Sequence, residues 1–122
     1  MKLIQREYLQ KLINTIGTPD IKVITGVRRS GKSKLMEQFI EYVRENCKDA
    51  NVIHINFSLI EFEELQDYHK LYNYIKSAYK GNAKNFVCID EVQMCDNFEK
   101  AINSLHAEEL FDIWCVLGGG YN

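Results

Sequence analysis

Residues 26–33 read Gly26-Val27-Arg28-Arg29-Ser30-Gly31-Lys32-Ser33, which satisfies the spacing GxxxxGK[ST]. The β-branched run Ile21-Lys22-Val23-Ile24-Thr25 precedes it, and Leu35, Met36, Phe39, Ile40 and Val43 follow at helical intervals. Strand, glycine-rich loop and helix, in that order, can cradle a polyphosphate. Glycines let the backbone approach, successive N–H groups point inward, and the positive end of the helix dipole opens at the same place. In such an arrangement Lys32 contacts the β- and γ-phosphates and the Ser33 hydroxyl holds magnesium. The expected binding segment is Gly26, Val27, Arg28, Arg29, Ser30, Gly31, Lys32 and Ser33, with Lys34 at its end. Arg28 and Arg29 occupy variable loop positions, where phosphate attraction and simple solvation read equally well. The helix turn points Lys34 outward.

Working outward, Leu3, Ile4, Tyr8, Leu9, Leu12, Ile13 and Ile16 predict an amphipathic helix that stops at Gly17-Thr18-Pro19-Asp20. After the loop, a helix is predicted from Lys32 to about residue 45 and a strand over 52–57. An acidic segment around Glu61-Phe62-Glu63-Glu64 leads into a helical stretch through Leu71, Tyr74, Ile75 and Ala78, ended by Gly81-Asn82. Phe86-Val87-Cys88-Ile89 is an unbroken apolar run, the signature of a strand buried on both faces. A helix near 98–105 and a strand over 111–117 complete the pattern. Strands alternating with helices predict parallel βαβ units in an α/β layered fold. Pro19 is the single proline and no Ser/Gly-rich linker interrupts the chain, so residues 1–122 read as one unit.

Asp90-Glu91 directly ends the buried apolar run. With a phosphate loop upstream, this is where an acid pair serves magnesium and water: Asp90 orients the metal's water shell, and Glu91 polarises the water that attacks the γ-phosphate. Lys32 and Glu91 are the catalytic candidates, and Ser33 and Asp90 the metal candidates, acting through Mg-ATP. Gln93 could touch the attacking water, but capping the turn is the plainer reading. A guanine site of the NKxD type is absent, because Asn46-Cys47-Lys48-Asp49 has the wrong order, and Asp90-Glu91-Val92-Gln93 lacks the glycine of DxxG. Adenine is the expected base. Arg6 and Tyr8 could approach it, although Tyr8 fits the apolar stripe of the first helix better.

The 15 Lys and Arg against 17 Asp and Glu give a net charge of −2 over 14.3 kDa, with no overall positive field of the kind that coats nucleic acid. The halves differ: residues 1–50 carry ten basic and six acidic side chains, residues 51–122 five and eleven, which places an anionic ligand near the first half. No stretch approaches the ~18 apolar residues of a membrane span, and charges interrupt the N-terminus before a signal core can form, so a cytoplasmic location is expected. Cys47, Cys88, Cys95 and Cys115 form no CxxC pair and read as reduced, mostly buried thiols. His54, His69 and His106 show no metal-ligand spacing.

Arg6-Glu7-Tyr8-Leu9, residues 21–33, Ile55-Asn56-Phe57, Ile89-Asp90-Glu91-Val92-Gln93 and residues 101–105 together resemble one family, the AAA-type ATPases of bacteria and archaea with a C-terminal domain of unknown function. The resemblance runs from about residue 2 to residue 114, and GVRRSGKS with IDEVQ is its specific part. It implies a three-layer P-loop NTPase sandwich with a parallel sheet, of the additional-strand, catalytic-glutamate type. It further implies a Walker A motif at Gly26–Ser33, a Walker B motif ending at Asp90-Glu91, and the cofactors ATP and Mg²⁺.

Departure from the family begins after Trp114. Leu117-Gly118-Gly119-Gly120-Tyr121-Asn122 stands where the family has a polar, TGSN-like sensor segment, and the family's last core strand, arginine-bearing region and lid have no counterpart. A truncated core is therefore expected. An arginine finger contributes ~10³–10⁵ in rate, so hydrolysis by the chain alone is expected to be weak. One alternative is a nucleotide-gated interaction module, pairing as a homo-oligomer or with another protein chain through a sheet edge. A small-molecule kinase would need lid arginines, and no Arg follows Arg44.

Overall fold

The structure, a computed structural model, describes the backbone of residues 3–25 and 29–118 and the side chains of residues 6–25 and 34–118. Helix α1 (Leu3–Asn14) turns into strand β1 (Lys22–Ile24), and helix α2 (Arg29–Asn46) leads to β2 (Ala50–Asn56). A 3₁₀ segment (Ile60–Leu65) precedes α3 (Tyr68–Ala78) and β3 (Lys84–Asp90). A second 3₁₀ turn (Val92–Met94), α4 (Phe98–Ala107) and β4 (Phe111–Val116) follow. Among the described residues no helix is long and apolar enough to cross a membrane.

The four strands form one parallel sheet in the order β1-β4-β3-β2. Strand β4 is thereby inserted between β1, which enters the glycine loop, and β3, which ends in the acid pair. Val87 pairs with Ile113 and Ile89 with Cys115. Alternation then sends Phe86, Cys88, Trp114 and Val116 to one face, against Leu12 of α1 and Leu35, Met36, Phe39, Ile40 and Val43 of α2. Val87, Ile89, Ile113 and Cys115 face the other way, against Leu71 and Ile75 of α3 and Ala101, Ile102 and Leu105 of α4. The molecule is thus an α/β three-layer sandwich of the P-loop NTPase type. The apolar run 86–89 is buried on both faces, as its composition requires.

Local boundaries differ from the sequence pattern most in three places, while β2, α4 and β4 are shifted by one or two residues. Helix α2 begins at Arg29 rather than Lys32, so the second half of the glycine motif is already its first turn. Strand β1 is limited to Lys22–Ile24, shorter than the β-branched run. The acidic segment is 3₁₀-helical, tied to the second 3₁₀ turn by the Asp96 N–H, which donates to the Gln66 carbonyl at 3.1 Å.

Lys22 alternates with apolar neighbours and would be placed in solvent by pattern alone, yet it is 9% exposed. Its Nζ donates to Asp112 Oδ1 at 2.8 Å and to the Thr18 carbonyl at 2.6 Å, and lies 5.2 Å from the centre of the Trp114 ring. Asp112 Oδ2 accepts from the N–H of Gly17, whose φ of +86° suits a residue without Cβ. The α1–β1 turn is thereby fastened to the start of β4. Trp114 in turn stacks on Phe39 with centroids 4.1 Å apart, fixing α2 over the sheet.

On the other face, Glu108 accepts from Tyr72 and from Lys76 Nζ, joining α3 to the turn before β4. Those bonds, Lys76's foremost, hold its carboxyl below the ordinary carboxylate range. A carboxyl depressed in the folded state stabilises the fold above its unfolded pKa, and that contribution is lost as pH falls through the folded value. Thermal unfolding followed from about pH 7 to about pH 3 should show a decline on acidification that is shallower in Glu108→Gln; identical slopes would remove Glu108 from the acid transition.

Candidate functional site

In a parallel sheet covered on both faces, ligands meet the carboxyl edge, where the loops leave the strands. Four chain segments leave the sheet at that edge: the one after β1, which carries the glycine motif, Phe57-Ser58 after β2, Asp90-Glu91 after β3, and Leu117-Gly118 after β4. Gly26, Val27 and Arg28 lie outside the described residues. Arg29, Ser30, Gly31, Lys32 and Ser33 form the N-terminal backbone of α2, their side chains likewise outside the description. Lys34 is exposed on the helix, as its position predicts.

Asp90 is the last residue of β3 and only 3% exposed. It shares the parity of Phe86 and Cys88, and so belongs to the sheet face that α2 covers. Its Oδ1 is buried without a hydrogen-bond partner among the described residues. Leaving a buried acceptor unmade costs ~1–3 kcal/mol, more for a charged one, so this oxygen is matched to a donor or cation supplied from outside the sheet. The water shell of a magnesium ion has that chemistry.

Glu91 has φ 56° and ψ 45°, the left-handed region, which costs a non-glycine residue ~1–3 kcal/mol. Something must hold it there. Gln93, on the 3₁₀ turn, donates from Nε2 to Glu91 Oε1 at 2.9 Å, and its Oε1 accepts from the Gly118 N–H at 2.9 Å. Gln93 therefore does more than cap its turn. A Cβ on Gly118 would stand 2.1 Å from Glu91 Oε1 and 2.4 Å from Cδ and Oε2, so the carboxylate fills the space a side chain would need. Gly118 was legible only as one of three glycines after an apolar strand, and nothing local to either residue pairs it with Glu91.

Two of the thiols are unsuited to nucleophilic chemistry. Cys88 and Cys115 are fully buried, and burial pushes both thiols far up, Cys115 to about 12. His54 on β2 is pushed below the usual imidazole range by burial, against the opposing pull of the Asp90 charge. A cavity of about 730 Å³ lies at the opposite, amino edge, lined by Pro19, Phe86, His106 and Phe111, far from the acid pair in the strand register.

The model of a family described as an AAA domain matches residues 18–119. The chain belongs to that AAA family. Membership carries nucleotide-binding, ATPase-type function, and the matched residues include the glycine motif, the acid pair and Gly118. An uncharacterized protein of Haemophilus influenzae is 35% identical to it over 114 residues, covering 91% of this chain and 28% of that protein. The chain thus spans little more than a quarter of the length of this relative. No solved structure matches it.

Because the atoms nearest a Cβ at position 118 belong to a movable carboxylate, Gly118→Ala should fold with a melting temperature within a few degrees of the parent, about 1 kcal/mol of destabilisation or less. Glu91 should be displaced, and nuclear magnetic resonance of its side-chain carboxyl carbon would show it; an unshifted resonance would contradict the packing.

Proposed function

We propose that this chain is an ATP·Mg²⁺-binding P-loop core of an AAA-type ATPase, from the branch whose members carry a C-terminal domain of unknown function. The observation that carries the reading is the buried Oδ1 of Asp90, without a partner among the described residues, at the same sheet edge as the start of α2. Residues 26–33 are a Walker A loop whose N–H groups and Lys32 bind the β- and γ-phosphates. Ser33 and Asp90 would hold magnesium, which when bound neutralises charge on the phosphate oxygens. Glu91 accepts a proton from the attacking water, its carboxylate held by Gln93. Residues 1–122 act as one ATPase core, and turnover by this stretch alone is slow, because residues 45–122 contain no Arg to serve as the barrier-lowering arginine that such sites draw on. A cytoplasmic location fits this reading.

Titration of a fluorescent ATP analogue with magnesium, with phosphate release followed in parallel, tests it. Binding in the micromolar range should weaken by about 100-fold or more in Lys32→Ala. Asp90→Asn should lose the magnesium dependence, and Glu91→Gln should bind normally without releasing phosphate. Affinity unchanged in Lys32→Ala would sink the proposal.

A second reading, a nucleotide-gated module that pairs through the sheet edge, is favoured by one observation. Strand β1 is bonded on one side only among the described residues, and Val23 on it is 51% exposed. Light scattering over a concentration series should then show mass rising with ATP present; a monomer with and without nucleotide would dismiss it.

A further inference from the structure

We propose that Gln93 is the positioning residue of this site: its amide holds the Glu91 carboxylate against the main chain at Gly118, so that the end of β4 sets where the water-activating group stands. The inference rests on the ATPase reading above.

The geometry fixes the amide's orientation. A backbone N–H can only donate, so the oxygen of Gln93 must face Gly118, which leaves the NH₂ group for Glu91 Oε1. Of the common side chains, an amide alone of this length donates and accepts at opposite corners; a carboxylate in its place would repel Glu91, and a lysine could not accept. The 3₁₀ turn supplies the reach, since the Met94 N–H donates to the Glu91 carbonyl at 3.1 Å and folds Gln93 back beside Glu91.

Gly118 is the other half of the device. With the Glu91 carboxylate 2.1–2.4 Å from where a Cβ would be, a side chain at 118 would push the carboxylate away, and the contact there is a main-chain N–H relayed through Gln93. One residue earlier, the Leu117 N–H donates to the Ile24 carbonyl at 3.1 Å. Ile24 is the last residue of β1 before the glycine motif. A continuous path therefore runs from the entry of the phosphate loop, across β4, through Gln93 to Glu91. Displacement of the loop by a bound phosphate would be passed to the carboxylate along these bonds, and a strained φ at Glu91 lets it respond.

The test compares the parent chain with Gln93→Leu, Glu91→Ala and the double variant, with Gln93→Met as a same-length substitute should leucine fail to fold. Three quantities are read: affinity for fluorescent ATP, the single-turnover rate of phosphate release, and the hydrogen-exchange rate of the Gly118 amide. Gln93→Leu should leave affinity within about twofold, slow the single turnover by about tenfold or more, and add nothing in the Glu91→Ala background. Its Gly118 amide should exchange about tenfold faster. Unchanged Gly118 exchange, affinity lost in step with rate, or additive effects in the double variant would each overturn the proposal. The exchange measurement needs no turnover, so it decides the matter even where release is too slow to time. Absence of ATP binding by the parent chain is a separate failure: it removes the ATPase reading and with it the catalytic role of Gln93, while Gly118 exchange still reports whether the contact exists.

Discussion

Strands β3 and β4 are covered by helices on both faces, and the rest of the molecule depends on that desolvation. Their main-chain groups are satisfied by the parallel ladder, and their side chains from Phe86 to Ile89 and from Ile113 to Val116 have to be apolar because no water reaches either face. Polar chemistry can begin only where the strands run out. Asp90 is the first ionisable residue after that stretch of β3, and it is still buried. A carboxylate in that position carries a desolvation cost that an external donor or cation would relieve.

Magnitudes decide how the edge is held. The left-handed backbone at Glu91 costs ~1–3 kcal/mol, whereas a single neutral hydrogen bond returns ~0.5–1.5 kcal/mol and one to a charged group ~1.5–3 kcal/mol. One neutral bond would not suffice. The Gln93 amide supplies one bond of each kind, to Glu91 and to Gly118, and the 3₁₀ turn adds a main-chain bond to the Glu91 carbonyl. Strain kept in place by several weak bonds is easily redistributed.

The amino edge follows a different logic. Lys22 and Asp112 are both largely buried, and such a pair is stable only because each charge is further bonded, Lys22 to the Thr18 carbonyl and Asp112 to the Gly17 N–H. They fasten α1 and β1 to β4 at the end of the sheet away from the acid pair. The two ends of β4 thus divide the work: a closed ion pair at its start, and main-chain bonds to Ile24 and Gln93 beyond its last residue.

Read by itself, the amino-acid sequence determined the order of elements, the two-sided burial of residues 86–89, the glycine motif and the acid pair. These are local properties: periodicity, β-branching and loop chemistry act over a few residues. Local pattern is silent on Lys22 and Gln93 for the same reason, since each has a partner distant in the chain. Only the tertiary structure decided that β4 lies between β1 and β3. That placement brings Gly118 to Gln93 across 25 positions, and Lys22 to Asp112 across 90. Strand order follows from which faces and edges bury best together, a sum over the whole core that no single segment encodes.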